Sequence, residues 1–398
     1  MTKRRSHGDG TIMNRGANSF RIRYRVGKQR FNKTFHGTYA EAKQELRALL
    51  RSGDTGEHVA PIKDTFADWA KRWIETGAPG RKKQAVGQRA LERYDQLLRA
   101  HILPVLGEHK LQKLHSTDID NLYLSLDGKI AQRTARSIHN VLGACLAAAV
   151  RTRKLTVSPM QHITKVPPKG ESDHGIALDD EQLSKLVRGF KGTALFPIVS
   201  VAAFTGARRG EILALRWTDF NAQEKTLRVE QALEETVKHG IRFKGPKKES
   251  HKRTITIDDD LVAILLAERE KHLRLKAVVP EGAAVNLALI KLPPDTLMFP
   301  DPVAMLEGKF TVPRSPLSIT KMFFRRAARI GFPNLRLHDL RGTHETLLLD
   351  RGVPVHVVAA RCGHDPATLL QNYAKRTKKA DTSAASIIGS ITKGILGN

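Results

Sequence analysis

The apolar residues of this 398-residue chain change their period along its length, and no single fold accommodates all the periods at once. Ser19-Phe20-Arg21-Ile22-Arg23-Tyr24-Arg25-Val26 alternates with period two, which predicts a strand with one apolar face and one arginine face. Gly27-Lys28 turns the chain into a second, less strictly alternating strand over residues 29–35. Thr38 followed three residues later by Glu41 is a capping-box signature ahead of a helix over 39–50. Residues 1–55 therefore form a small sheet on one helix, and the polar, glycine-containing stretch 53–63 reads as a linker.

From residue 64 to 168 the period is helical. Phe66, Trp69, Trp73 and Ile74 mark one stripe, and residues 89–102 form a second helix stopped by Pro104 and Gly107. Ser116-Thr117-Asp118 opens a third, and Ile138, Leu142, Cys145 and Ala149 line one side of a longer fourth. Cys145 on that stripe is a packing residue. Ser158-Pro159 and Pro167-Pro168 close the segment.

Residues 170–398 mix both periods. Asp179-Asp180 cap a helix, residues 195–204 form another, and 227–229 and 253–257 alternate as strands with the basic stretch 244–252 between them. Asp258, Asp259 and Asp260 cap a further helix, 278–295 reads as a loop-rich insertion, and helices begin near Ser318, His338 and Val353. The expected architecture is a multidomain α+β chain: a small N-terminal sheet-and-helix domain, an all-α domain and a mixed α/β domain.

Sixty-seven Lys and Arg against 40 Asp and Glu leave a formal charge of +27, spread along the whole chain, which points to nucleic acid as the partner. No apolar run is long enough for a membrane span, and the basic start lacks the apolar stretch of a secretory signal, so no membrane partner is expected. Two cysteines exclude a disulfide framework and a four-cysteine zinc site, and the expected compartment is the cytoplasm, at the nucleoid.

Three segments of the last domain concentrate phosphate-handling residues. In Thr205-Gly206-Ala207-Arg208-Arg209-Gly210-Glu211, one helix ends at Thr-Gly and a basic pair starts the next, where an arginine can fork onto two phosphate oxygens. Glu211 is placed to pin that guanidinium. In His338-Asp339-Leu340-Arg341, the first and last residues share a helical face. In Gly363-His364, the histidine stands at a turn, with Tyr373 nine residues on as a candidate nucleophile. His344-Glu345 invites a zinc-protease reading, but position 348 is Leu, so that pattern fails and His344 reads as a hydrogen-bonded helix residue.

Taken together and in this order, the three segments resemble the arginine box, the His-x-x-Arg box and the Gly-His…Tyr box of the tyrosine-recombinase (phage-integrase) family. Pro246-Lys247-Lys248-Glu249-Ser250-His251-Lys252-Arg253-Thr254-Ile255 is similar to the family's lysine-bearing β-hairpin, with Lys247 as the matching lysine beside Lys244 and Lys248. Three positions depart from the pattern: Gly342 stands where many relatives have His, Cys362 where Leu is usual, and Ser158 where Asn commonly precedes Pro.

The resemblance implies DNA cleavage through a 3′-phosphotyrosine. Arg208, Arg341 and His364 would hold the scissile phosphate, Tyr373 would attack, His338 would take its proton and Lys247 would protonate the leaving oxygen. No metal or other cofactor is implied. It implies double-stranded attachment-site DNA as partner, a homotetramer on paired sites and DNA-bending accessory proteins. Residues 1–55 would be an arm-site-binding domain, 64–168 a core-binding domain and 170–398 the catalytic domain with its tail. The apolar stripe Ile387, Ile388, Ile391, Ile395 and Leu396 would pack on its own domain or on a neighbouring protomer. Two other readings stay open here, a type IB topoisomerase and a DNA-binding protein without catalysis.

Overall fold

A computed structural model describes residues 10–55, 58–80, 84–170, 175–245 and 252–376. The chain divides into two compact units, Met1–Ser172 and Asp173–Asn398. Lys247 and the stripe at 387–396 lie outside the described residues.

The first unit opens with an antiparallel sheet in the order β1 (Thr11–Gly16), β2 (Ser19–Val26), β3 (Gln29–His36). As the alternation of β2 requires, Phe20, Ile22 and Tyr24 are buried and pack with Ala42 and Leu46 of helix α1 (Tyr39–Asp54). Gly27, at φ 55°, takes the turn position that demands positive φ. Thr38 and Glu41 form the expected capping box. Two features differ from the sequence reading. β1 is an additional edge strand, illegible because its outer half is polar and exposed. α1 runs four residues past the expected end, because Gly53 is there for closeness: a Cβ on it would stand 3.0 Å from Val26.

A second core in this unit is wholly helical. α2 (Phe66–Glu75) buries Phe66, Trp69 and Trp73, and Trp69 donates its indole N–H to the Cys145 carbonyl at 3.1 Å. α3 (Gln88–Leu97) continues through a π turn (Leu98–Ile102) into α4 (Leu103–Leu106), so Pro104 does not stop the helix as expected. The wider turn pairs the Leu103 N–H with the Leu98 carbonyl and takes the chain past the proline before it ends at Leu106. α5 (Ser116–Leu126) and α6 (Gln132–Arg151) complete the core, with Ile138, Leu142, Cys145 and Ala149 buried on the predicted side.

The second unit is mixed. α7 (Asp180–Phe190) is capped by Asp179, and α8 (Phe196–Thr205) is buried all round against neighbours that include α7. α9 (Arg209–Ile212) leads into a sheet of β4 (Phe220–Asn221), β5 (Thr226–Val229) and, later in the chain, β8 (Arg253–Thr256). Between β5 and β8 lies a hairpin, β6 (Ala232–Thr236) with β7 (Gly240–Lys244), which the sequence reading missed. α10 (Asp259–Lys276) follows its Asp258 cap, and the expected loop-rich insertion leads to α11 (Pro302–Leu306). α12 (Pro316–Arg329), α13 (Asp339–Asp350), α14 (Val355–Cys362) and α15 (Pro366–Arg376) end the unit, and α8 packs against α10 and α13. No helix among the described residues is long and apolar enough to cross a membrane.

Candidate active site

Two helix ends in the second unit finish in left-handed glycines, Gly206 (φ 63°) after α8 and Gly363 (φ 65°) after α14. A Cβ on Gly206 would come within 2.8 Å of the His344 ring and 3.0 Å of Cys362 Sγ, so conformation and space both demand glycine there. Each glycine leaves its carbonyl free to accept from an arginine. Arg341 donates Nη1–H to the Gly206 carbonyl at 2.7 Å, and Arg208 donates Nη2–H to the Gly363 carbonyl at 2.7 Å.

Arg208 is the N-cap of α9 and also binds Glu211 Oε1 at 2.8 Å, the pinning contact expected from its sequence position. Glu211 Oε2 accepts from Arg253 of β8 at 2.7 Å, and Arg253 also reaches the Arg361 carbonyl at 2.8 Å. Burial pushes the Glu211 carboxyl up. The hydrogen bond and charge of Arg253, with those of Arg208, outweigh burial and hold it at about 2. Arg209, the other member of the basic pair, instead binds the Thr320 hydroxyl on α12.

Arg341 is 3% exposed. Its Nε lies 3.1 Å from His364 Nε2 and 3.1 Å from Glu345 Oε1, and that same oxygen is 2.8 Å from His364 Nε2. Burial first, then the like charge of Arg208, lower the pKa of its guanidinium. Its Nη2 is buried with no hydrogen-bond partner among the described residues. A buried donor left over on a cation suits an oxyanion.

Arg208, Arg341 and His364 are thus gathered by three helix ends. His338 is the exposed N-cap of α13, and Arg341 one turn on is buried. Tyr373 stands on α15, with its hydroxyl on Asp350 at 2.8 Å. His344 is a hydrogen-bonded helix residue, as expected. Its Nδ1 is 2.9 Å from the Ala203 carbonyl, and its Nε2 accepts from Arg361 at 3.1 Å. Burial, followed by the charge of Arg361, holds its pKa at about 4. Burial likewise raises the Cys362 thiol to about 11. The sequence reading missed Arg253 and Glu345. The first was visible as part of the hairpin motif and the second only as half of a failed zinc pattern.

Two anchored guanidinium groups, one with a buried donor to spare, on a mixed α/β unit make a site suited to an oxyanion such as a phosphate. The phage integrase family model matches residues 177–380, more than half of the chain, which therefore belongs to the phage integrase family. The model of the phage integrase N-terminal SAM-like domain matches residues 65–126. The activity is site-specific recombination of the tyrosine-recombinase type.

An integrase of Streptomyces ambofaciens is 26% identical over 408 residues and covers 99% of both chains. The Tn1549 transposon integrase, solved in complex with a circular intermediate DNA, matches with a TM-score of 0.62 at 14% identity, over 82% of this chain and 99% of its own. A lambda integrase tetramer bound to a Holliday junction matches with a TM-score of 0.52 at 15% identity, over 89% and 95%. At these identities the two structures show the shared fold.

Proposed function

We propose that Arg208, Arg341 and His364 bind the scissile phosphate of an attachment site in double-stranded DNA, and that Tyr373 attacks it. The phenol oxygen forms a bond to phosphorus as the bond to the 5′-oxygen breaks. His338 takes the phenol proton and Lys247 gives one to the departing 5′-oxygen, which leaves as a hydroxyl. The 3′-phosphotyrosine conserves the bond energy, so a second strand's 5′-hydroxyl reseals the DNA by the reverse step. The observation that carries this reading is Arg341 Nη2, a buried donor with no hydrogen-bond partner among the described residues, beside His364 and the anchored guanidinium of Arg208. Charge accumulating on a pentacovalent phosphorus is stabilised best by such preorganised donors.

The proposal extends to the whole chain. Residues 1–55 bind a second class of DNA site, 64–168 clasp the core site, and 170–398 carry the chemistry. Integration or excision of a mobile element then takes place in a homotetramer on paired sites, aided by DNA-bending proteins. The basic face of β2 supports the first assignment and the SAM-like match the second. The DNA in one solved relative and the tetramer of the other are in keeping with the partners.

Incubation with a nicked suicide substrate tests the chemistry. The wild-type chain gives a covalent adduct on a denaturing gel, and Tyr373→Phe binds the same DNA without one. An undiminished adduct in the variant overturns the assignment.

A further inference from the structure

Arg253 is a third guanidinium in the cluster, and the chemistry above gives it no task. It opens β8, where its backbone pairs with Val229 of β5, and its side chain is 8% exposed. Its Nη2 donates to Glu211 Oε2 at 2.7 Å, and its Nε donates to the Arg361 carbonyl at 2.8 Å. A Cβ on Gly363 would stand 3.0 Å from Arg253 Nη1, so the glycine turn before His364 lies directly against this side chain.

We propose that Arg253 is a positioning residue for recombination: by occupying Glu211 Oε2 it stops that carboxylate from gripping two arms of Arg208, and so keeps Arg208 open to the scissile phosphate. This rests on the reading of Arg208 as a phosphate ligand.

Donors and acceptors in the cluster are closely matched. Glu211 is 9% exposed, and its two oxygens are divided between two arginines. Oε1 accepts from Arg208 Nη1 at 2.8 Å. Oε2 accepts from the Arg208 backbone N–H at 2.9 Å and from Arg253. Glu211 therefore holds the Arg208 side chain by one arm, and the Gly363 carbonyl holds it by another. Its other N–H groups make no hydrogen bond among the described residues, and they are the donors a phosphate would meet. Against burial, which raises the Glu211 carboxyl, Arg253 is the stronger of the two arginines in keeping it ionised.

Without Arg253, a buried carboxylate oxygen loses its charged donor, a larger loss than that of a neutral hydrogen bond. Arg208, already on the other oxygen, makes good the loss by turning two arms of its guanidinium onto the carboxylate. That fork is the geometry in which arginine and carboxylate pair most strongly. It takes up donors that the phosphate needs and breaks the hold on the Gly363 carbonyl.

Single-turnover adduct formation on the nicked suicide substrate, at saturating protein, tests this. Arg253→Ala is expected to slow the reaction at least about tenfold, while affinity for the same DNA falls by a smaller factor. Arg253→Lys, which keeps a charged donor for Oε2, retains most of the rate. Glu211→Gln separates positioning from simple support of the fold. On its own it slows cleavage, because the pin on Arg208 is weakened. Combined with Arg253→Ala it is expected to speed cleavage at least about threefold over Arg253→Ala alone, because an amide cannot take the charged fork. A double variant no faster than Arg253→Ala overturns the proposal, as does an Arg253→Lys chain equally slow or an Arg253→Ala chain with the wild-type rate. If Arg253→Ala does not fold, as a melting curve shows, Arg253→Gln keeps the polarity without the charge and replaces it in the same comparison. A wild-type chain that forms no adduct overturns the functional reading and this proposal with it. A wild-type adduct without the rescue by Glu211→Gln overturns this proposal alone.

Discussion

Tyr373 donates its hydroxyl hydrogen to Asp350 Oδ1 at 2.8 Å, at the opposite end of α13 from Arg341. Nine residues of helix separate Arg341 from Asp350, about 13 Å along the axis. The hydroxyl is therefore held away from the guanidinium that the proposed chemistry sets beside the phosphate, and attack requires this bond to break. A single exposed hydrogen bond contributes about 0.5–1.5 kcal/mol. Asp350→Ala is accordingly expected to speed adduct formation about two- to tenfold at saturating protein. An unchanged or slower rate means that Asp350 does not hold Tyr373 back.

The guanidinium forks make a second prediction. Lysine in place of Arg341 keeps a charge but cannot bind the Gly206 carbonyl, sit against His364 and Glu345, and still offer a donor outward. Arg208→Lys likewise loses the simultaneous hold on Glu211 and the Gly363 carbonyl. Each variant is expected to cleave at least about 100-fold more slowly in single turnover. Near wild-type cleavage by either shows that its fork plays no part in the transition state.

Acid should loosen the catalytic unit through Glu211. A carboxyl held at about 2 when folded, below its ordinary value of 4.5, contributes stability that is fully present above the ordinary value. That stability is lost as the pH falls towards about 2. The contribution at neutral pH is on the order of 3 kcal/mol. Urea unfolding at neutral pH and near pH 3 is expected to show that loss in the wild-type chain. Glu211→Gln should start from a lower stability and change less between the two conditions. Parallel pH dependence in both chains rules out Glu211 as the source.

The N-terminal sheet makes a prediction about salt. Arg21, Arg23 and Arg25 line the face of β2 opposite its buried Phe20, Ile22 and Tyr24. If that face binds DNA phosphates, replacing the three by serine lowers the salt slope of binding to a long attachment site. Each lost contact should remove about 0.9, while binding to the isolated core site stays unchanged. Equal slopes on the long site identify an ordinary solvated face.

What the sequence disclosed and what it hid follow one physical division. The strand β2, the cap at Thr38, the α6 stripe and the glycine-ended helices before Arg208 and His364 were legible because local propensity and packing agree there. The path through Pro104 was misread because the π turn that bypasses the proline has no local signature. Hairpin β6–β7 was missed because Glu234 and Glu235 break its alternation. Glu234 pairs with Arg242 and Lys244 across the hairpin, and Glu235 accepts from Ser315 and the Leu317 N–H. Arg208, Arg341 and His364 were legible as candidates, but their mutual arrangement was not. Glu345 escaped because an acid on a helix, one turn after an arginine, reads as an ordinary solvated pair, and only tertiary packing buries it and brings His364 to it.

Anchoring Arg341 at two edges also settles when its ordering cost falls due. A free arginine side chain carries about 2 kcal/mol of rotamer freedom. Here that freedom is surrendered when α8 and α13 come together and the Gly206 carbonyl meets Nη1. On the proposed chemistry, none of the free energy of DNA association is then diverted to aligning this guanidinium. Gly206 thus acts at a distance from the bond being broken. Through its carbonyl on Nη1 it transfers, in the proposed reaction, an entropic burden from each encounter with DNA to the single event of folding.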